Sequence, residues 1–305
     1  MKRIRHLVEY ALVRVLLLVV DLLPVRACIF LAHAIGDVIW LVLPGRRRIA
    51  VDNILAAGIT TEPKAARRLA RAVFRQFARV VVESLKSDAW FRKHPMQECV
   101  AWHVPPEVDA LLADPQAGVI LASGHLGNWE IAAQVLSHKK PVVGITRRMN
   151  NPYVDRLMLS RKPRHRFELT PKRDANLGRL MGALRDGKVL AIMIDQNAKE
   201  RGMLVDFFGR PASSHTAIAL LHLLTKAPLV FGYCTETAPM RFEFRATGPF
   251  RFRPTGDKER DVRAILDCLN RELEAAVRAC PDEYMWGHRR WRLPEGHGGG
   301  TATRG

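Results

Sequence analysis

Between residues 117 and 280 the chain alternates short, almost wholly apolar runs with longer segments of helical period. That alternation restricts the fold more than any other feature. "AGVILAS" (117–123), "PVVGIT" (141–146), "KVLAIMID" (188–195) and "PLVFGYC" (228–234) read as strands, the first of them buried, and "MRFEFRA" (240–246) as an alternating one. "WEIAAQVLSH", "NPYVDRLMLSR", "DANLGRLMGALRDG", "SHTAIALLHLLTK" and a last segment at 257–280 read as the helices between and after them, with Gly187 as one stop. Strands and helices in alternation predict an α/β fold, a layered mixed sheet flanked by helices.

The first 44 residues follow a different rule. A basic start, "MKRIRH", precedes a long apolar stretch interrupted only by Glu9, Arg14, Asp21, Arg26, His33 and Asp37. No small-x-small site closes a short apolar core, so a cleaved signal peptide fits poorly. No run without a formal charge, Cys28–Gly36 included, reaches the roughly 20 residues an ideal span needs. Two shorter helices broken near Pro24 are expected, embedded in one leaflet or packed on the protein as a buried hairpin. The expected division is a membrane-associating helical segment at 1–44, a main domain at 45–293 and a disordered tail at 294–305.

Charge narrows the partners. Hydrophobic residues make up 48% and charged ones 26%, which excludes a disordered chain, and the net charge of +18 calls for an anionic neighbour. Nucleic acid, an anionic membrane and an acidic substrate all qualify. With aromatics at 7% and no nucleic-acid-binding pattern, nucleic acid rests on charge alone and is not expected as a partner. The five widely spaced cysteines contain no CxxC pair and imply reduced thiols. In the helix expected over 62–86, Leu69, Val73, Phe77, Val80, Val81 and Leu85 form an apolar stripe. Its opposite arginine face is either solvated or laid near anionic lipid. Thr61 is the expected cap.

The turn after the first strand, "SGHLGNWE" (123–130), holds a histidine and, five residues on, a glutamate at a helix start. In such sheets ligands bind at the carboxyl ends of strands. Gly124 and Gly127 let this turn bend tightly, and the helix dipole favours Glu130 in its first turn. Two readings stand: a structural turn with a coincidental pair, or a general base, His125, oriented by Glu130. No HExxH, GxSxG or catalytic-cysteine context is present, so no metal site is expected.

"GHLGNWEIA" resembles the H-x4-[DE] motif of the late (lauroyl/myristoyl-type) acyltransferases of lipid A biosynthesis, in the form H-x-x-N-W-E. Further blocks resemble that family in order. They are "RRRIAVDNI" (46–54) with Asn53, "TRRMNNPYVDRL" (146–157), "LRDGKVLAIMIDQN" (184–197), "VDFFGRPASSHTAIALL" (205–221) and "PDEYMWGHRRWR" (281–292). The block at 146–157 departs from the family's Y-R-P at Thr146 and Arg148, which bears on the acceptor.

The resemblance implies a glycerolipid-acyltransferase-like fold and an O-acyltransferase. In it His125 deprotonates an acceptor hydroxyl, Glu130 orients His125, and the donor is an acyl thioester of acyl carrier protein or coenzyme A, without metal or other cofactor. It implies an oxyanion or phosphate arginine at Arg147, a second at Arg161 or Arg164, and Asp195 paired with one of them; Asn128 belongs to the same motif as a substrate-side candidate. Phe207 and Phe208 are expected to shape an acyl pocket, rest on lipid or form a core turn, and a long apolar groove is expected near His125. The C-terminal block reads as a packing and charge cluster. The implied setting is the cytoplasmic face of the inner membrane, with acyl carrier protein, anionic lipid and a lipid A precursor as partners. A lysophospholipid, a phosphatidylinositol mannoside or another glycolipid is the alternative acceptor, and a non-catalytic lipid-binding protein the alternative class.

Overall fold

Proline sets the first breaks in the chain. The computed structural model describes residues 2–161 and 166–293, so Arg164 and the tail at 294–305 lie outside the described residues. Helix α1 (Lys2–Leu22) ends before Pro24, which lacks the amide that an interior turn requires, and α2 (Val25–Val42) starts directly after it. Pro44 opens α3 (Pro44–Ala56), where its missing N–H costs nothing. By length and composition α2 could cross a membrane, and only 22% of it is buried. Leu12, Val15 and Leu16 on α1 and Phe30, Val38 and Leu41 on α2 remain exposed, an apolar surface of the kind that marks membrane or partner contact.

Helix α4 (Pro63–Phe91) differs from its expected pattern. Val73 and Val80 are buried, but Phe77 and Val81 are exposed, and the inner face is built from Ala66, Ala70, Ala78 and Val82. Small residues bring α2 close. A Cβ on Gly36 would stand 2.6 Å from the Arg75 Cα, so only glycine fits this crossing. The arginine face is not one solvated stripe, because Arg71 and Arg75 reach the Asp37 carboxylate at 2.7 and 2.5 Å. Arg79 turns inward between Glu83, at 3.0 Å, and Glu236. The cap position is Glu62 rather than Thr61, and it makes no side-chain cap bond.

After α5 (Met96–Cys99) come β1 (Val100–His103), α6 (Pro106–Ala113), β2 (Val119–Ser123), α7 (Trp129–Lys139), β3 (Val142–Thr146) and α8 (Pro152–Arg161). Then follow β4 (Phe167–Pro171), α9 (Leu177–Arg185), β5 (Val189–Met193), β6 (Met203–Phe207) and β7 (Arg210–Ser214). The chain closes with α10 (Ala217–Thr225), β8 (Leu229–Ala238), β9 (Arg241–Phe250) and α11 (Lys258–Ala279). One seven-stranded sheet has the order β1-β9-β8-β2-β5-β3-β4, parallel except at the β8/β9 hairpin, while β6 and β7 form a separate hairpin.

The expected mixed α/β fold is the fold adopted. Strand β2 shows why its first four residues are all apolar. Ile120 and Ala122 face a core shared with Ile218 and Leu221 of α10 and Ile265 and Leu269 of α11. Val119 and Leu121 face the other core, with Ile131 and Val135 of α7. With both faces covered, side chains alternating at period two must be apolar throughout.

Candidate active site

Strands β2 and β5 run parallel as neighbours, with Ser123 opposite Met193. The Ile194 amide donates to the Ser123 carbonyl at 2.9 Å, so the pairing holds as the chains leave the sheet. One step beyond Ile194 stands Asp195, and two beyond Ser123 stands His125. The His125 Nδ1 lies 2.9 Å from Asp195 Oδ1, and the His125 amide donates to Oδ2 at 2.8 Å. A single carboxylate thus fixes both the ring and the backbone of the histidine.

Burial of Asp195 would raise its pKa, but the charge of His125, the bonds from its ring and amide, and the nearby Arg290 guanidinium hold it below the usual carboxylate range. Burial would lower the pKa of His125, yet the charge and hydrogen bond of Asp195 outweigh that and raise it. A carboxylate only accepts, so Nδ1 carries the proton and Nε2 is the basic nitrogen. The ring meets Trp129 edge-on, with centroids 5.1 Å apart.

The turn itself requires glycine. Gly127 has φ +62°, and a Cβ there would stand 2.0 Å from the Cys234 carbonyl oxygen. This close approach lets the Asn128 amide donate to that oxygen at 2.7 Å. From the far side, Gly127 donates to the Glu283 carbonyl and Met285 to the His125 carbonyl, at 3.1 and 3.0 Å. Asn128 is fully buried and caps α7, its Oδ1 accepting from the Ile131 amide at 3.1 Å while its Nδ2 faces Glu83. It is therefore a structural cap and not a group turned towards a substrate.

Val73, Phe77, Val80, Trp129 and Glu283 close around His125, leaving a cavity of about 10 Å³, space for one water. The long apolar groove expected here is not open in this conformation. Burial, with Asp282 and Glu83 adding to it, pushes the Glu283 carboxyl up to about 8. Among the described residues no group of three or more His, Cys, Asp or Glu side chains converges in a metal-binding arrangement.

Residues 1–293 match the sequence profile described as bacterial lipid A biosynthesis acyltransferase. The chain belongs to that family. It is 25% identical over 183 residues to the lipid A biosynthesis lauroyltransferase of Escherichia coli (strain K12), a match covering 59% of this chain and 58% of the relative. It is 26% identical over 181 residues to the phosphatidylinositol mannoside acyltransferase of Mycobacterium tuberculosis (strain CDC 1551 / Oshkosh), covering 58% and 52%. The chain thus spans rather more than half the length of each relative.

Within this member of the lipid A acyltransferase family, the remaining predicted residues divide. Arg147 is exposed directly after β3, at the same sheet end as His125. Arg161 instead grips Asp21 at 2.9 and 2.5 Å, tying α8 to α1. Asp195 was expected beside one of those arginines; its partner is His125, and the nearby arginine is Arg290 from the C-terminal block. Glu130 is half-buried in the first turn of α7, and the carboxylate that meets the imidazole Nδ1 is that of Asp195.

Sequence reasoning did not single out the Asp195–His125 pairing or the Glu283 wall. The signal for the pairing was present in two adjacent buried strands, each ending just short of one of these residues. The C-terminal block does pack as a cluster. Arg290 is buried and donates to the Ser213 carbonyl and Ser214 Oγ, both at 2.6 Å, and stands over the Phe207 ring. Phe207 and Phe208 are buried against Trp291 and Trp286, so that segment is a core turn.

Proposed function

We propose that the chain is an O-acyltransferase that moves a fatty acyl chain from a thioester of acyl carrier protein or coenzyme A to a hydroxyl of a lipid A precursor. The observation that carries this reading is the His125–Asp195 pair at the carboxyl ends of two adjacent parallel strands. An alcohol is a poor nucleophile at neutral pH. Nε2 of His125 takes the hydroxyl proton as the oxygen attacks the thioester carbon, and the imidazolium is stabilised by Asp195. Collapse of the tetrahedral intermediate breaks the C–S bond, and the departing sulfur takes the proton back from Nε2. In this reading Arg147 faces the developing oxyanion or an acceptor phosphate, and Glu130 contributes a second carboxylate beside the reaction.

The exposed apolar faces of α1 and α2, with Arg3 and Arg5 at their start and Arg48 after them, suit attachment to the cytoplasmic face of the inner membrane. Phe77 and Trp129 must shift for an acyl chain to reach His125. A glycolipid acceptor such as a phosphatidylinositol mannoside is the second reading. It is favoured by the mycobacterial relatives, whose identity equals that of the lauroyltransferase within a percentage point, and by Thr146 and Arg148 at the family's acceptor-side segment.

The test is acyl transfer by purified protein in detergent micelles. Tetra-acylated lipid A precursor, lysophospholipids and a mannosylated phosphoinositide would serve as acceptors, and carrier-protein and coenzyme A thioesters as donors. Transfer to the lipid A precursor alone supports the first reading. Transfer only to another acceptor overturns it, and no transfer from any donor overturns both.

A further inference from the structure

Two family blocks that the acyl-transfer chemistry leaves unused, 46–54 and 281–292, meet at one cavity. A pocket of about 290 Å³ is rimmed by Arg46, Lys199, Arg289 and Arg292, with His288 in its wall. Glu200 is the one carboxylate among the described residues that line it. Four cations here face a single carboxylate. Elsewhere Arg71, Arg75, Arg79, Arg161, Arg179 and Arg245 each have a carboxylate within 3.0 Å. None of the four rim cations is paired with a carboxylate among the described residues. Like charges brought together repel unless an anion sits among them.

The rim is also held rigidly. Asn53 Nδ2 donates to the carbonyls of Trp286 and His288, both at 2.7 Å, and Arg46 donates to the Gly287 carbonyl at 3.0 Å. Asn197 Nδ2 lies within 3.3, 3.1 and 2.6 Å of the Arg289, Arg290 and Arg292 carbonyls. The Asn197 amide donates to His288 Nε2 at 3.0 Å, and its Oδ1 accepts from the Lys199 amide at 2.7 Å. Three distant chain segments are therefore stitched by two asparagines so that their cations face one space. Preorganisation of this kind reduces the entropy lost on binding.

The cavity adjoins the dyad. Asn197 follows Asp195 by two residues, and His288 is near enough to feel the charges of both Asp195 and His125.

We infer that the cavity bounded by Arg46, Lys199, Arg289 and Arg292 binds a phosphate ester carried by one of the two substrates and thereby sets its reacting end at His125. The inference rests on the acyl-transfer reading for which substrate is held, and on the cation cluster alone for the anion. The phosphate is either a phosphomonoester of the acceptor or the phosphate of a pantetheine arm on the donor. Guanidinium groups pair with phosphate oxygens through two parallel N–H bonds, which fits a rim with three arginines.

The experiment uses the full-length protein in micelles and two variants of equal charge loss. Arg289→Gln/Arg292→Gln removes half of the rim, and Arg251→Gln/Arg253→Gln removes two exposed cations at the opposite end of the sheet. Binding of inorganic pyrophosphate is measured first, because it needs no acyl transfer. The rim variant is expected to weaken it at least tenfold and the control variant less than twofold. Equal weakening in both, or none in the rim variant, overturns the site whether or not acyl transfer is found.

Kinetics then identify the source. The rim variant is expected to raise KM for one substrate about tenfold, and the penalty is expected to shrink when that substrate lacks its phosphate. A dephosphorylated acceptor and an acyl-pantetheine without phosphate are the two arms. A penalty that is the same with and without phosphate in both arms overturns the assignment to a substrate.

Discussion

His125 Nδ1 and Asp195 Oδ1 lie 2.9 Å apart although 70 residues separate them in the chain. The contact follows from the sheet. β2 and β5 are adjacent and parallel, and each leaves the sheet within two residues of its half of the pair. Because Asp195 also accepts the His125 amide, the ring is held in both position and tautomer.

A pH dependence follows from this pair. The raised pKa of His125 means that its neutral form, the base, fills only above an ordinary histidine value of 6.5. kcat/KM is expected to rise with pH through a midpoint above that value. In Asp195→Asn the charge that raises the pKa is gone while burial remains, so the midpoint is expected to move down and the maximum rate to fall. Glu130→Gln is expected to leave the midpoint closer to that of wild type. A pH–rate profile of the three proteins checks this. A midpoint that moves with Glu130 and not with Asp195 would reverse the assignment.

Asn128 separates a structural role from a chemical one. Asn128→Ala removes the cap of α7 and a neighbour of the buried Glu83, a loss of about 1 kcal/mol for the cap alone. Thermal melting is expected to fall, with kcat of the folded enzyme nearly unchanged. An oxyanion-hole donor would instead cost about 10²–10³ in kcat.

Gly127→Ala puts a methyl group into the Cys234 carbonyl at a left-handed backbone position. No flexible side chain can yield there. Urea denaturation is expected to show a loss of more than about 2 kcal/mol, since backbone strain alone costs about 1–3. A midpoint equal to that of wild type would mean that the turn has a different geometry.

The strands and helices of the sheet were legible because their periodicities are strong, and Pro24, Pro44 and Gly187 mark breaks by chemistry that no tertiary contact overrides. β1, β4, β6 and β7 were missed because they are four or five residues long and mix polar side chains among apolar ones, as "FELTP" does. His125 was legible from its turn. Its carboxylate partner was not, because a sequence gives the offset of Asp195 from its own strand but not which strands are neighbours. The α4 stripe misled for a related reason: alanine and Gly36 carry the helix crossing, which frees Phe77 to stand beside Trp129 at the site.

Asn53 tests whether the C-terminal block is clamped as described. Asn53→Ala leaves two backbone carbonyls without their donor, at a cost of about 1–3 kcal/mol. Faster amide exchange over residues 286–290 is expected, and Asn53→Asp is expected to be worse because a carboxylate repels the same oxygens. Unchanged exchange in both variants would remove the clamp from the account.

The most direct measurement is single-turnover acyl transfer by His125→Ala beside wild type, with melting curves to verify that both are folded. Loss of the general base predicts a fall of about 10²–10⁴ in rate. A folded alanine variant that transfers within twofold of wild type would contradict the central claim.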